Sequence, residues 1–110
     1  MHSQRCELTL DLAALGRNYQ TLAARAPGDV GVVVKANAYG LGVERVAPAL
    51  AQAGATHFFV ASAEEATEVR SLLGKQAFTY VFDGATGETV DSLLASASIP
   101  VLNHAGQVQL

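Results

Sequence analysis

One lysine, Lys35, follows directly after an apolar run at residues 30–34. Such a run predicts a buried strand of a parallel sheet, and α/β folds bind their ligands at the carboxyl ends of these strands. A lysine at a strand end usually extends its amine to water. In a partly dry pocket, an uncharged lysine amine instead condenses with an aldehyde to form a Schiff base. Lys35 is therefore a candidate for covalent chemistry, and pyridoxal 5′-phosphate (PLP) is a sensible ligand to test.

The glycines and carboxylates near Lys35 fit structural roles. Gly40 and Gly42 resemble the start of a dinucleotide-binding fingerprint, but Arg45 occupies the place of the third glycine. We expect the two glycines to allow a sharp turn. Glu64-Glu65 suits the positive end of a helix, and Asp83-Gly84 suits a turn at a strand end. None of these residues predicts a separate acid/base pair.

The histidines and the cysteine predict no metal site. His57 and His104 have no second ligand at metal-binding spacing, so we expect structural or surface roles for both. Cys6 is the single cysteine of the chain, and one thiol makes neither an internal disulfide nor a zinc site. We expect it to act as a small apolar residue.

Strand-like and helix-like segments alternate along the chain. Strands are predicted at residues 7–12, 30–34, 57–60, 79–82 and 99–102, with helices from residue 12 to the stop at Pro27, from 43 to near Gly54, and at 62–73 and 86–95. This alternation is typical of right-handed βαβ units around a parallel sheet. The spacing leaves open whether the sheet is doubly wound or curled into a barrel. A complete (β/α)8 barrel needs ~250 residues, so four units are about half of one.

Several helix boundaries carry recognisable signals. Asp11 is placed to cap the first helix, Ser62 and Glu65 have the spacing of a capping box, and Asn103 is a possible cap near the chain end. Pro48 interrupts an otherwise regular helical face. Either that helix begins later than Val43, with the proline in its first turn, or it is kinked.

The segment KANAYGLG at residues 35–42, at the end of the apolar strand, resembles the cofactor-lysine signature of alanine racemases. These are PLP enzymes of the barrel-bearing fold type III group, and their usual histidine is replaced here by Leu41. Residues 7–12, 53–55 and 62–66 resemble the same family. The resemblance implies a partial PLP-binding (β/α)8 barrel of about four βα units, with a strand and first helix at residues 1–29 and the first barrel units at 30–110.

The resemblance also implies roles for four residues. Lys35 matches the lysine that holds PLP as a Schiff base and acts as one of two acid/base catalysts. Tyr39 matches a tyrosine whose hydroxyl contacts the cofactor phosphate. Val33 and Phe82 align with apolar residues that flank the cofactor ring, although both also fit an ordinary barrel core.

The implied reaction is the interconversion of L-alanine and D-alanine for peptidoglycan precursor synthesis in the bacterial cell wall. In the family, the base on the opposite face of the substrate is a tyrosine from the carboxyl-terminal domain of the other subunit of a homodimer. An arginine near the pyridine nitrogen also lies in later sequence. The 110 residues alone are therefore expected to be inactive. A non-catalytic PLP-binding module, an inactive fragment, a related decarboxylase and a plain α/β interaction domain remain as alternatives.

Composition excludes other partners. Seven Lys and Arg against ten Asp and Glu give a net charge of −3, which provides no broad positive surface for nucleic acid. No apolar run reaches the roughly 18 residues of a membrane-spanning helix, and the first residues lead into Glu7 and Asp11 instead of an apolar signal core. We therefore expect a cytoplasmic protein without a nucleic-acid or membrane partner.

Overall fold

The computed structural model describes residues 9–109, without the side chain at 109; Cys6 lies outside this part. The chain forms, in order, α1 (Leu12–Arg25), β1 (Gly31–Val33), α2 (Lys35–Tyr39), α3 (Val43–Gln52), β2 (His57–Val60), α4 (Ala63–Leu73), β3 (Phe78–Val81), α5 (Val90–Ala95) and β4 (Ile99–Pro100). Short 3-10 helices occupy Gly74–Gln76 and Ala105–Gln109. The α/β class predicted from the alternating segments is confirmed.

The four described strands form one parallel sheet in the order β1-β2-β3-β4. Val33 pairs with Phe59, Phe59 with Tyr80, and Tyr80 with Ile99. Doubly wound sheets reverse their strand order at a switch point, whereas barrels keep the order of the chain. The sequential order therefore favours a barrel segment over an open, doubly wound sheet.

Within residues 9–109, helices cover one face of this sheet and leave the other uncovered. Phe58, Val60 and Val81 are completely buried, and they form one core cluster with residues of α3, α4 and α5. Fully burying such a side chain contributes about 1.5–3 kcal/mol. Because side chains alternate along a strand, the residues between them lie on the opposite face, which is the inner face of a barrel segment.

Boundaries near the amino terminus differ partly from the predictions. Asp11 caps α1 as expected, since its carboxylate accepts a 3.0 Å hydrogen bond from the Ala14 amide. Residues 9–11 form no strand and Leu12 is already helical, while residues 7 and 8 lie outside the described part. The predicted strand at 7–12 is thus absent from its described portion. Helix α3 begins at Val43 and runs through Pro48, so the later start is wrong.

Three predictions near the carboxyl end are also corrected. The helix predicted at 86–95 begins only at Val90, because Thr86 and Thr89 form a turn in which each hydroxyl accepts from the other residue's amide. Asn103 is not a helix cap: its side-chain amide donates to the Phe82 carbonyl at 2.9 Å. The predicted strand at 99–102 is shortened to Ile99–Pro100.

Candidate functional site

Lys35 lies at the carboxyl end of β1. The Val34 amide donates to the Phe59 carbonyl at 2.9 Å, which extends the strand pairing to the residue before the lysine. Val34 is buried in the core, whereas Val33 is 39% exposed on the other face. Strand alternation places Lys35 on the same face as Val33. The lysine predicted from sequence therefore stands at the edge of the uncovered sheet face, where α/β barrels carry their active sites.

A series of aromatic rings extends across this face from Lys35. The Lys35 Nζ is 5.8 Å from the centroid of the Phe82 ring, within the range of a cation–π contact. Phe82 packs on Phe59 at 5.4 Å, and Phe59 stacks on Tyr80 at 4.5 Å. Phe82 is 37% exposed and thus presents part of its surface beside the lysine. The family resemblance predicted Phe82 beside the cofactor ring, but no local sequence pattern predicted its contact with the lysine amine.

The chain leaves Lys35 through a left-handed turn. Ala36, Asn37, Ala38 and Tyr39 all have positive φ angles, between 53° and 57°. Outside glycine this conformation costs about 1–2 kcal/mol per residue. Backbone bonds from the Ala38 amide to the Val34 carbonyl and from the Gly40 amide to the Ala36 carbonyl close the turn. Strained backbone of this kind concentrates at functional sites, where surrounding contacts hold it in place.

Two side chains hold the left-handed turn from outside. The Asn37 side-chain carbonyl accepts from the Val43 amide at 2.8 Å and so caps α3. The Glu65 carboxylate accepts from the Ala36 amide at 2.8 Å and from the Ala61 amide at 2.7 Å. Sequence reasoning assigned Glu65 to a capping box and to the positive end of a helix. The expected bond from its amide to the Ser62 hydroxyl is present at 3.3 Å, but its carboxylate does not follow that pattern.

Tyr39 lies at the end of the left-handed turn, with 61% of its surface exposed. Within the described part of the chain, no hydrogen bond to its hydroxyl is found. The structure thus groups Val33, Lys35 and Phe82 on one sheet face and places Tyr39 in the adjoining turn. The role of each toward a cofactor stays a prediction at this point.

His57 has a structural environment at the opposite end of β2. Its ring stacks on Phe78 at 5.2 Å, its Nδ1 lies 2.8 Å from the Tyr80 hydroxyl, and its Nε2 lies 3.4 Å from an Asp29 oxygen. Among residues 9–109 no group of three His, Cys, Asp or Glu side chains is arranged to hold a metal ion. Nor does this part of the chain contain a helix with the length and apolar character to cross a membrane.

The fold and the site define the amino-terminal segment of a (β/α)8 barrel whose candidate active site is built around a lysine. The family model described as alanine racemase, N-terminal domain, matches residues 10–110. The chain belongs to this alanine racemase family.

Individual relatives agree with this assignment. The alanine racemase of Brucella ovis is 46% identical over 103 residues, which are 93% of this chain and 26% of that protein. A catabolic alanine racemase of Rhizobium johnstonii is also 46% identical, over 91% of this chain and 27% of that protein. The crystal structure of alanine racemase from Bartonella henselae, which has covalently bound pyridoxal phosphate, matches with a TM-score of 0.84 and 40% identity over 90% of this chain. This chain spans 28% of that structure, or about a quarter of the length of such relatives.

Proposed function

We propose that the full-length protein containing this chain is a PLP-dependent alanine racemase and that Lys35 is its covalent attachment point for the cofactor. One observation carries the proposal: in a member of the alanine racemase family, the Lys35 amine stands at the carboxyl end of β1, on the uncovered sheet face and beside the Phe82 ring. The Bartonella henselae relative binds pyridoxal phosphate covalently, which supports the same chemistry here.

The residues at this edge fit the parts of PLP. An aldehyde requires an amine that is not locked in an ion pair, and within residues 9–109 no carboxylate lies within 4.0 Å of the Lys35 amine. A flat pyridine ring requires flat or branched apolar neighbours, which Phe82 and Val33 provide on the same face. A phosphate requires donors, and the hydroxyl of Tyr39, a largely exposed residue, is one.

When bound, PLP withdraws electrons from the substrate α-carbon and so lowers the cost of removing its proton. In the proposed reaction the Lys35 amine removes or returns this proton on one face of alanine. Phe82 and Val33 orient the ring and exclude water from that face. We assign the base on the other face to sequence outside this chain. D-alanine for peptidoglycan is the proposed product, and the homodimer and cytoplasmic location stay predictions.

The test compares Lys35→Ala with Lys75→Ala in the full-length protein. Lys75 is the other lysine of the chain and lies in a 3-10 helix away from the site, which makes it a matched control. Each variant is incubated with PLP, reduced with borohydride and mapped by peptide mass, and α-proton exchange of alanine is followed in deuterated water. We expect the label at Lys35 and loss of both label and exchange only in Lys35→Ala. Full activity of Lys35→Ala, or no alanine exchange by the unmodified protein, would refute the proposal.

The second candidate is a module that binds PLP without racemising alanine. It is supported by the Lys35 amine beside the Phe82 ring, an arrangement that PLP binding requires whether or not alanine is racemised. A borohydride-trapped label at Lys35 without α-proton exchange would select this candidate. Loss of carbon dioxide from an amino acid would instead indicate a decarboxylase, and a protein that takes up no PLP would be a plain α/β domain.

A further inference from the structure

One carboxylate, that of Glu65, connects the ends of two neighbouring strands at the candidate site. Its Oε1 accepts from the Ala61 amide, directly after β2, at 2.7 Å. Its Oε2 accepts from the Ala36 amide, directly after Lys35, at 2.8 Å. Glu65 itself lies in the first turn of α4 and is only partly exposed. A single side chain thereby fixes two backbone donors that are far apart in sequence.

An ordinary helix cap does not explain this arrangement. In a capping box the glutamate returns to the amide of the N-cap residue, which here is Ser62. Glu65 instead bonds the preceding residue, Ala61, and its second oxygen reaches β1. An ionised carboxylate has only acceptor oxygens, so both amides are satisfied together. Bonds of this type to a charged acceptor are shorter and stronger than neutral ones.

The bond to Ala36 acts on the peptide that joins Ala36 to Lys35. Ala36 is the first residue with positive φ, so the left-handed turn begins at this peptide. Fixing its amide direction fixes the plane of the peptide, and with it the direction in which the Lys35 side chain leaves the strand. Asn37 holds the far side of the same turn through its bond to the Val43 amide.

We propose that Glu65 is the positioning residue for Lys35, which it holds in the orientation required to capture PLP. This inference rests on the proposed function of Lys35. Glu65 acts through the backbone and not as a counter-ion, because the described residues place no carboxylate within 4.0 Å of the Lys35 amine. The effect of Glu65 is therefore on the geometry of the lysine.

The test compares Glu65→Gln with Glu64→Gln in the full-length protein. Both substitutions remove one negative charge from the first turn of α4, but Glu64 is exposed and none of the hydrogen bonds described here involves it. Glutamine at 65 keeps the shape and presents an NH₂ donor to one of the two amide donors. The readouts are the PLP concentration for half-maximal borohydride-trapped label at Lys35, and deuterium exchange of the amides of Ala36 and Ala61.

We expect Glu65→Gln to raise the PLP concentration for half-maximal label by about tenfold or more, because the variant loses one hydrogen bond to a charged group. We also expect faster amide exchange at Ala36 and Ala61, with Glu64→Gln unchanged in both measurements. Equal PLP capture and equal exchange in the two variants would overturn the proposal. A protein whose unmodified form captures no PLP would refute the function of Lys35, while the exchange data would still decide whether Glu65 holds the turn.

A second variant guards against loss of folding. Glu65→Asp keeps the charge but is shorter by one methylene, so it cannot keep both short bonds. It is expected to give a folded circular dichroism spectrum with weakened PLP capture. A folded Glu65→Asp protein that captures PLP as well as the unmodified protein would overturn the positioning role, because a purely structural glutamate affects unfolding without changing capture by the folded molecules.

Discussion

Gly31 offers a direct test of the packing of the aromatic rings on the sheet face that carries Lys35. A Cβ at this position would lie 2.5 Å from Cε1 and 3.0 Å from Cδ1 of Phe59. Carbon atoms in contact are ordinarily about 3.5–4.0 Å apart, so Gly31→Ala requires the Phe59 ring to move by about 1 Å. That movement separates Phe59 from Tyr80 and from Phe82, the ring beside the Lys35 amine.

The magnitude follows from three contributions. Overpacking costs about 1–3 kcal/mol, and partial loss of an aromatic pair adds to it, since such pairs are worth about 0.5–1.5 kcal/mol. Replacing glycine lowers the entropy of the unfolded chain, which returns about 0.4–1 kcal/mol. We therefore expect Gly31→Ala to lower the free energy of unfolding by about 1–3 kcal/mol in urea titrations of the full-length protein.

The control is Gly28→Ala, because a Cβ at Gly28 meets no atom within 4 Å. We expect this change to leave the free energy of unfolding unchanged or slightly raised. In a Phe59→Ala background, Gly31→Ala is expected to cost almost nothing, since the obstructing ring is gone. The reasoning is refuted if Gly31→Ala is as stable as Gly28→Ala, or if its cost persists without the Phe59 ring.

Two further predictions concern hydrogen bonds. Arg70→Met removes hydrogen bonds from the guanidinium to several backbone carbonyls, including those of Ser96 and Ala77. It should lower the free energy of unfolding by about 1–3 kcal/mol. The control Arg17→Met, at an exposed residue, should leave this free energy unchanged. Asn37→Ala removes the hydrogen bond that caps α3 and also places alanine at a positive φ, whereas Asn37→Gly removes only the cap because glycine adopts a positive φ without strain. In urea titrations, the free energy of unfolding should therefore fall further for Asn37→Ala than for Asn37→Gly. Equal losses in the two Asn37 variants would contradict the strain at this position.

Local patterns predicted much of the fold. The strand before Lys35, the strand His57–Val60 and the helix that ends before Gly74 follow from hydrophobic periodicity and capping residues, and the structure confirms them. The burial predicted for the first of these strands is wrong, because Gly31 and Val33 are exposed. The helix start at Val90 was missed because Thr86 and Thr89 satisfy the local amides with their own hydroxyls. Boundaries depend on such short-range competition, which periodicity does not register.

The candidate site was predictable only in part. Lys35, Tyr39, Val33 and Phe82 were selected from a motif and a resemblance, and the structure places the lysine beside Phe82. No sequence pattern predicted that the Glu65 carboxylate accepts a hydrogen bond from the Ala36 amide. Its bond to Ala36 joins residues 29 positions apart, and such a contact arises only when β1 and β2 pair.

The sequence by itself determined the parallel α/β class, the lysine at a strand end and the family resemblance, because alternation, caps and a contiguous motif are local properties of the chain. The tertiary structure decided which sheet face is uncovered, which ring lies beside the Lys35 amine and which carboxylate holds the following peptide. The physical reason is that strand register and helix packing set distances between residues remote in sequence, and a hydrogen bond or ring contact exists only at those distances.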